Sequence, residues 1–106
     1  MEQIRRIAEM ESRLNRASAA LARLNAALEE FPALREDAAL LAAYYESPLW
    51  RTDFDADEAG LLPEDLCRGV LSEDALYNLL TDYEAAVEEL RAAAENCKIQ
   101  GPGSHG

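Results

Sequence analysis

The feature that most constrains the fold is a seven-residue repeat of apolar side chains near the N-terminus. The apolar residues are spaced alternately by three and four over four heptads, and Arg and Glu are among the residues that lie between them. We call this set the N-terminal seam: Ile7, Met10, Leu14, Ala17, Leu21, Leu24, Leu28 and Phe31. Such spacing places all of these side chains on one face of an α-helix. The sequence therefore predicts an amphipathic helix over residues 2–31.

A second repeat near the C-terminus predicts another long helix, over residues 73–97. Ser72 is suited to cap its N-terminus, and Leu71 stands where a hydrophobic staple reaches Leu76. We expect the two seams to pack against each other as an antiparallel pair, with arginines of the first helix near glutamates of the last. The C-terminal seam consists of Leu76, Leu80, Tyr83, Val87, Leu90, Ala94 and Cys97.

Proline and glycine residues divide the region between the two helices. Pro32 lacks a backbone donor, so we expect a turn there and a second helix over residues 33–46; a kinked continuation of the first helix is the alternative. Ser47 and Pro48 predict the start of a short helix over residues 48–58, which Gly60 ends. Residues 63–69 should form one helical turn.

Length and composition complete the prediction of fold class. The chain has 106 residues, of which 49% are hydrophobic, with Ala and Leu dominant and few β-branched residues. We expect an all-α protein, a small antiparallel helical bundle of two long helices plus a shorter one, with an irregular short-helix segment at 47–71. A single domain should cover residues 1–98, and a disordered tail residues 99–106.

The charge and the cysteines restrict the classes of function. The formal net charge is −11, and residues 48–75 hold eight acids against Arg51 and Arg68. Such a chain repels phosphate backbones and anionic lipid, so we expect neither nucleic-acid nor membrane binding. No N-terminal signal is recognisable. A helix over 73–97 spans ~36 Å, so the two cysteines are too far apart for an intrachain disulfide. Two free thiols favour a cytoplasmic location.

Short motifs in the first 80 residues are similar to those of a known family. They are Tyr44-Tyr45-x-Ser47-x-x-Trp50-x-x-Asp53, Ala56-Asp57-Glu58-x-Gly60, Leu62-Pro63-x-Asp65-Leu66, and Gly69-Val70-Leu71-Ser72-Glu73-Asp74-x-x-Tyr77. Together they resemble a family of small bacterial helical proteins catalogued only as a domain of unknown function. The resemblance implies a helical fold and a bacterial cytoplasmic origin, and it supplies no catalytic residues.

One acidic stretch has the spacing of a calcium-binding loop. Asp53, Asp55, Asp57 and Glu64 fall at positions one, three, five and twelve, and hard cations bind to several converging oxygens. Glu58 stands where such loops have glycine, however, and a helix through this stretch would direct the aspartates to different sides. This stretch is therefore either a divalent-cation site or a solvated acidic segment.

Residues 47–74 contain the only tryptophan of the chain, Trp50, and many of its charged residues. The aromatic residues either complete the core or form an exposed anchor for a basic partner protein. We predict no cofactor and no enzymatic activity, because no catalytic or phosphate-binding motif is present. The expected function is a non-enzymatic protein–protein interaction module that binds a basic partner or a second copy of itself. Calcium binding and mimicry of nucleic acid are the alternatives. The predicted interaction residues are Trp50, Arg51, Asp53, Asp57, Glu58, Asp65 and Arg68.

Overall fold

The computed structural model describes residues 1–97, and the regular elements among these residues are all helices, as predicted, with no strand. The elements in chain order are α1 (Glu2–Glu46), α2 (Pro48–Glu58), a 3₁₀ helix (Gly69–Leu71) and α3 (Glu73–Glu95). The predicted tail at 99–106 lies outside the described residues. The chain divides into two compact units, Met1–Asp37 and Ala38–Gly106, and each is described by itself.

The first unit consists of α1 up to Asp37. Every residue from 1 to 30 is exposed, and the large side chains of the N-terminal seam between Ile7 and Leu28 are 49–59% exposed. The predicted burial of this seam is therefore not observed; only Phe31 among its members is partly buried. The helix itself forms because Ala, Leu, Arg and Glu, which dominate this stretch, have high helix propensity.

Pro32 does not end the first helix, so the predicted turn is wrong and the alternative, continuation of the helix past Pro32, is the one observed. It lies inside α1, which continues without a break to Glu46. A proline within a helix removes one hydrogen bond and crowds the preceding turn, but the cost is local. The apolar spacing continues past it through Leu34, Ala38 and Leu41, so the segments before and after Pro32 follow one helical pattern.

The second unit has a small core at the junction of its helices. Trp50, Leu71 and Leu76 are each no more than 6% exposed and pack together. The partly buried side chains around them come from α1, α2, the following loop and α3: Leu41, Tyr44, Tyr45, Phe54, Leu62 and Leu80. Segments distant in sequence thus meet around the single tryptophan.

Helix α2 has the predicted bounds. Ser47 occupies the N-cap position but makes no capping bond; its hydroxyl instead donates to the Tyr44 carbonyl at 2.7 Å. At the other end, the Gly60 amide donates to the Asp57 carbonyl and the Leu61 amide to the Ala56 carbonyl, both at 3.0 Å. This is a Schellman motif, and the φ of 73° at Gly60 is one that glycine adopts without strain.

The segment before α3 departs from the predicted single helical turn. A turn is closed by the Leu66 amide on the Pro63 carbonyl, and the 3₁₀ helix begins only at Gly69. Ser72 then caps α3 as predicted, since its hydroxyl accepts from the Ala75 amide at 3.3 Å. Leu71 and Leu76 are both buried in the same cluster, as expected of a hydrophobic staple.

Candidate interaction surfaces

Trp50 is a core residue and not an exposed anchor. Its ring makes an edge contact with Tyr45 and stacks on Phe54, with centroid distances of 5.2 Å in both pairs. Its Nε1 donates to the Val70 carbonyl at 3.0 Å. With its single donor satisfied and only 6% of its surface exposed, Trp50 is not available to a partner. Of the two predicted roles for the aromatic residues, this geometry supports completion of the core.

Asp53 is also used within the chain. It accepts a 2.5 Å hydrogen bond from the Tyr44 hydroxyl, which links α2 to the end of α1. This bond, together with burial and the negative charge of Asp53, raises the pKa of Tyr44 to about 12. The neighbouring Tyr45 donates to Glu73 at 3.3 Å, and burial followed by the Glu73 charge raises its pKa as well.

Arg68 holds the irregular loop onto α2. Its guanidinium makes a 2.7 Å ion pair with Asp57 and donates to the carbonyls of Pro63 and Leu66 at 2.7 and 3.3 Å. Both side chains of the ion pair are about one-third exposed or less, so solvent screens this pair less than a fully exposed one. Arg68 and Asp57 thus have a structural role that accounts for their charges.

The structure does not bring the four predicted metal ligands together. Asp53, Asp55 and Asp57 lie two residues apart on α2, where successive members point to nearly opposite sides of the helix. Asp53 and Asp57 are bonded to other side chains, and Glu64 lies in the turn beyond the helix. Within residues 1–97, no group of three or more His, Cys, Asp or Glu side chains is placed to hold a metal ion.

Three of the seven predicted interaction residues remain exposed: Arg51, Glu58 and Asp65. The Arg51 guanidinium lies 5.4 Å from the centre of the Phe54 ring, close enough for a cation–π contact. The other four form internal contacts, as described above. Of the predicted interaction surface, only these three exposed side chains are therefore accessible to a partner.

Both cysteines are free thiols and exposed. Their lack of a disulfide agrees with the distance argument from the sequence. The prediction that Cys97 is a core residue of the C-terminal seam is wrong, because Cys97 lies two residues beyond the end of α3 and is exposed.

The most extensive candidate surface is one that the sequence analysis placed in the core. The N-terminal seam presents its large apolar side chains to solvent along the first four heptads, at the exposures given above. A sequence signal did exist, because the positions beside the seam are polar in its first two heptads, where Arg6, Glu11 and Arg13 lie. A narrow apolar stripe with polar borders is typical of a helix that pairs with one other helix.

Comparison with known proteins gives a family but no function. Searches of curated proteins and of solved structures found no match. Among residues 1–97, no helix has both the length and the apolar character needed to cross a bilayer. The profile of one family, described as a domain of unknown function (DUF4298), matches residues 7–92. This match covers most of the chain and agrees with the motifs noted in residues 44–77, so the chain belongs to the DUF4298 family.

Proposed function

We propose that this protein is a non-enzymatic protein–protein interaction module of the bacterial cytoplasm, and that the N-terminal seam is its binding surface. The observation that carries the proposal is the exposure of six large apolar side chains along one helical face, from Ile7 to Leu28. Most of the stability of a helix in a protein comes from packing of its apolar face, and long apolar stripes of this kind are normally covered by another protein surface.

The second unit supports this proposal by supplying a separate folded body. Its core, its Schellman motif and its Arg68 contacts all lie within residues 38–97. A binding surface on residues 7–28 can therefore be changed without removing any contact of that core. The exposed thiols of Cys67 and Cys97 agree with a reducing compartment.

Site-specific photo-crosslinking in bacterial cells that express the full chain tests the proposal. A photoreactive amino acid replaces Leu14 on the seam or, as the control, Ala19 on the opposite face of the same helix. We expect protein adducts from position 14 and few from position 19. Equal adducts at both positions, or none at position 14, would show that the seam is not a binding surface.

A further inference from the structure

The residues beside the N-terminal seam indicate what covers it. With Ile7 and Leu14 at position a of the heptad and Met10 at position d, the large apolar side chains keep to a and d, except Ile4 in the first turn. So narrow a stripe fits one partner helix better than a broad bundle surface. Resting on the proposed function, we infer that the partner is a second copy of this chain, and that the two copies of α1 pair in parallel and in register.

Charge supplies the first argument for this partner. Arg6 is at position g and Glu11 is at position e of the next heptad. In a parallel pair, each g side chain faces the e side chain of the following heptad on the other helix. Two Arg6–Glu11 ion pairs therefore form across a parallel dimer, one on each side.

An antiparallel pair gains nothing from these charges. There, g positions face g positions and e positions face e positions. The charged g residues are Arg6 and Arg13, and the charged e residue is Glu11, so every such juxtaposition is neutral or repulsive. The sequence of the seam borders therefore selects the parallel orientation.

Within residues 1–97, neither Arg6 nor Glu11 has an ion-pair partner in its own chain. The neighbouring arginines do: Arg5 pairs with Glu2 at 3.2 Å and Arg13 with Glu9 at 3.3 Å. Among the charged residues at positions e and g of the seam, Arg6 and Glu11 are thus the two that a contact between chains can pair.

The shape of the surface at this point provides the second argument. A shallow, open depression of about 420 Å³ is lined by Arg6, Ile7, Met10, Glu11 and Leu14. In a coiled coil, a side chain of one helix inserts between four residues of the other. In a parallel pair, Met10 at position d of the second copy inserts between four residues of the first copy. Two of these are at position a, one is at position d and one is at position e: Ile7, Leu14, Met10 and Glu11, respectively. These four residues line the depression.

Sedimentation equilibrium of the purified full chain tests the partner. We expect a mass twice the 11.7 kDa of one chain. Leu14→Asp should raise the dissociation constant at least ~100-fold, because it buries unpaired charge, whereas Ala19→Asp on the outer face should leave it within about threefold. Trp50 fluorescence should be the same in all three proteins, which shows that the second unit remains folded. A wild-type chain that is monomeric at every concentration would overturn the inference.

Two sets of variants test the orientation. In a Cys67→Ser, Cys97→Ser background, Ile7→Cys should form an interchain disulfide on mild oxidation, because a positions meet in a parallel pair; antiparallel helices would hold them ~30 Å apart. Arg6→Glu and Glu11→Arg should each weaken the dimer about 10-fold, and the double variant should restore it. A dimer that fails both tests would refute the parallel pairing.

These outcomes separate the inference from the proposed function. A monomeric chain whose position 14 still crosslinks to a different protein in cells would refute self-pairing and leave the interaction function intact. A chain that gives no adduct at position 14 would refute the proposed function itself.

Discussion

Trp50 Nε1 donates a 3.0 Å hydrogen bond to the backbone carbonyl of Val70, and this bond ties α2 to the 3₁₀ helix that leads into α3. The indole also fills the space between Tyr45 and Phe54. One side chain therefore satisfies a carbonyl of the 3₁₀ helix and contacts two of the aromatic rings around the core. The stability of the second unit should depend on it more than on any other residue.

Trp50→Ala should lower the free energy of unfolding by about 3–5 kcal/mol, because it leaves a large cavity and an unpaired carbonyl. The adjacent Leu49 is 64% exposed, so Leu49→Ala is a matched control that should change stability by less than about 0.5 kcal/mol. Urea denaturation followed by circular dichroism measures both. Equal effects of the two substitutions would contradict a core role for Trp50.

Arg68→Ala should destabilise the chain by about 1–2 kcal/mol. It removes the Asp57 ion pair and two hydrogen bonds to loop carbonyls, and their partial exposure keeps the effect below that of a buried pair. Arg91, whose ion pair with Glu88 leaves both side chains about two-thirds exposed, provides the control. Its alanine variant should change the free energy of unfolding by no more than about 0.5 kcal/mol. A larger loss for Arg91→Ala would reverse our ranking of the two ion pairs.

The regular elements could be predicted from the sequence because local rules determine them. Ser72 before Glu73 and Gly60 after residue 58 marked helix ends that the structure places at the same positions. Pro32 was predicted wrongly because the steric cost of one proline was weighed above the helix propensity and apolar spacing that continue beyond it. Residues 63–71 resisted prediction because Arg68 organises that loop through side-chain contacts with Asp57 and with the carbonyls of Pro63 and Leu66, and no repeating pattern in the sequence marks such contacts.

Tyr44 should make stability depend on pH in the alkaline range. Its pKa is raised from 10.0 to about 12 in the folded state, chiefly by the bond to Asp53, so the unfolded chain loses this proton first. Between pH 10 and 12 the unfolded state therefore binds fewer protons, and the free energy of unfolding falls as pH rises; below pH 10 the full contribution is present.

Tyr44→Phe tests this dependence. It should cost about 1 kcal/mol at pH 8, and the difference from wild type should shrink as the pH approaches 12. The absorbance of tyrosinate should also show one late-titrating tyrosine fewer in the variant. Leu49→Ala, at a position 64% exposed, is the control and should leave the alkaline slope unchanged. A Tyr44→Phe protein with the wild-type slope would rule out this origin of the pH dependence.

The candidate site was harder to predict than the helices. Trp50, Asp53, Asp57 and Arg68 have the residue types of a binding surface, but their partners in the chain are revealed only by tertiary contacts. The N-terminal seam presented the opposite problem. Its apolar spacing is the same whether the covering helix belongs to this chain or to another, so periodicity alone could not show that it is exposed.

Calcium should leave the protein unchanged. Asp53 and Asp57 are held by Tyr44 and Arg68, and the four acids of the predicted loop do not converge. Millimolar calcium chloride should therefore change neither the melting temperature nor the Trp50 emission relative to the same ionic strength of sodium chloride. An increase in melting temperature that is specific to calcium, and that Asp55→Asn abolishes, would restore the metal-site hypothesis.

Pro32→Ala should strengthen α1. Alanine supplies the amide that proline lacks and removes the clash with the preceding turn, so the local free energy of helix opening should increase by up to about 3 kcal/mol. We expect more negative far-ultraviolet ellipticity and slower amide exchange around position 32. Pro63→Ala is the control, because Pro63 lies in a turn outside any helix and its replacement should leave the ellipticity as it is. Faster amide exchange in this region of the Pro32→Ala protein would contradict the prediction. It would mean that Pro32 stabilises α1 through packing, and that the amide hydrogen bond missing at Pro32 does not limit the stability of the helix.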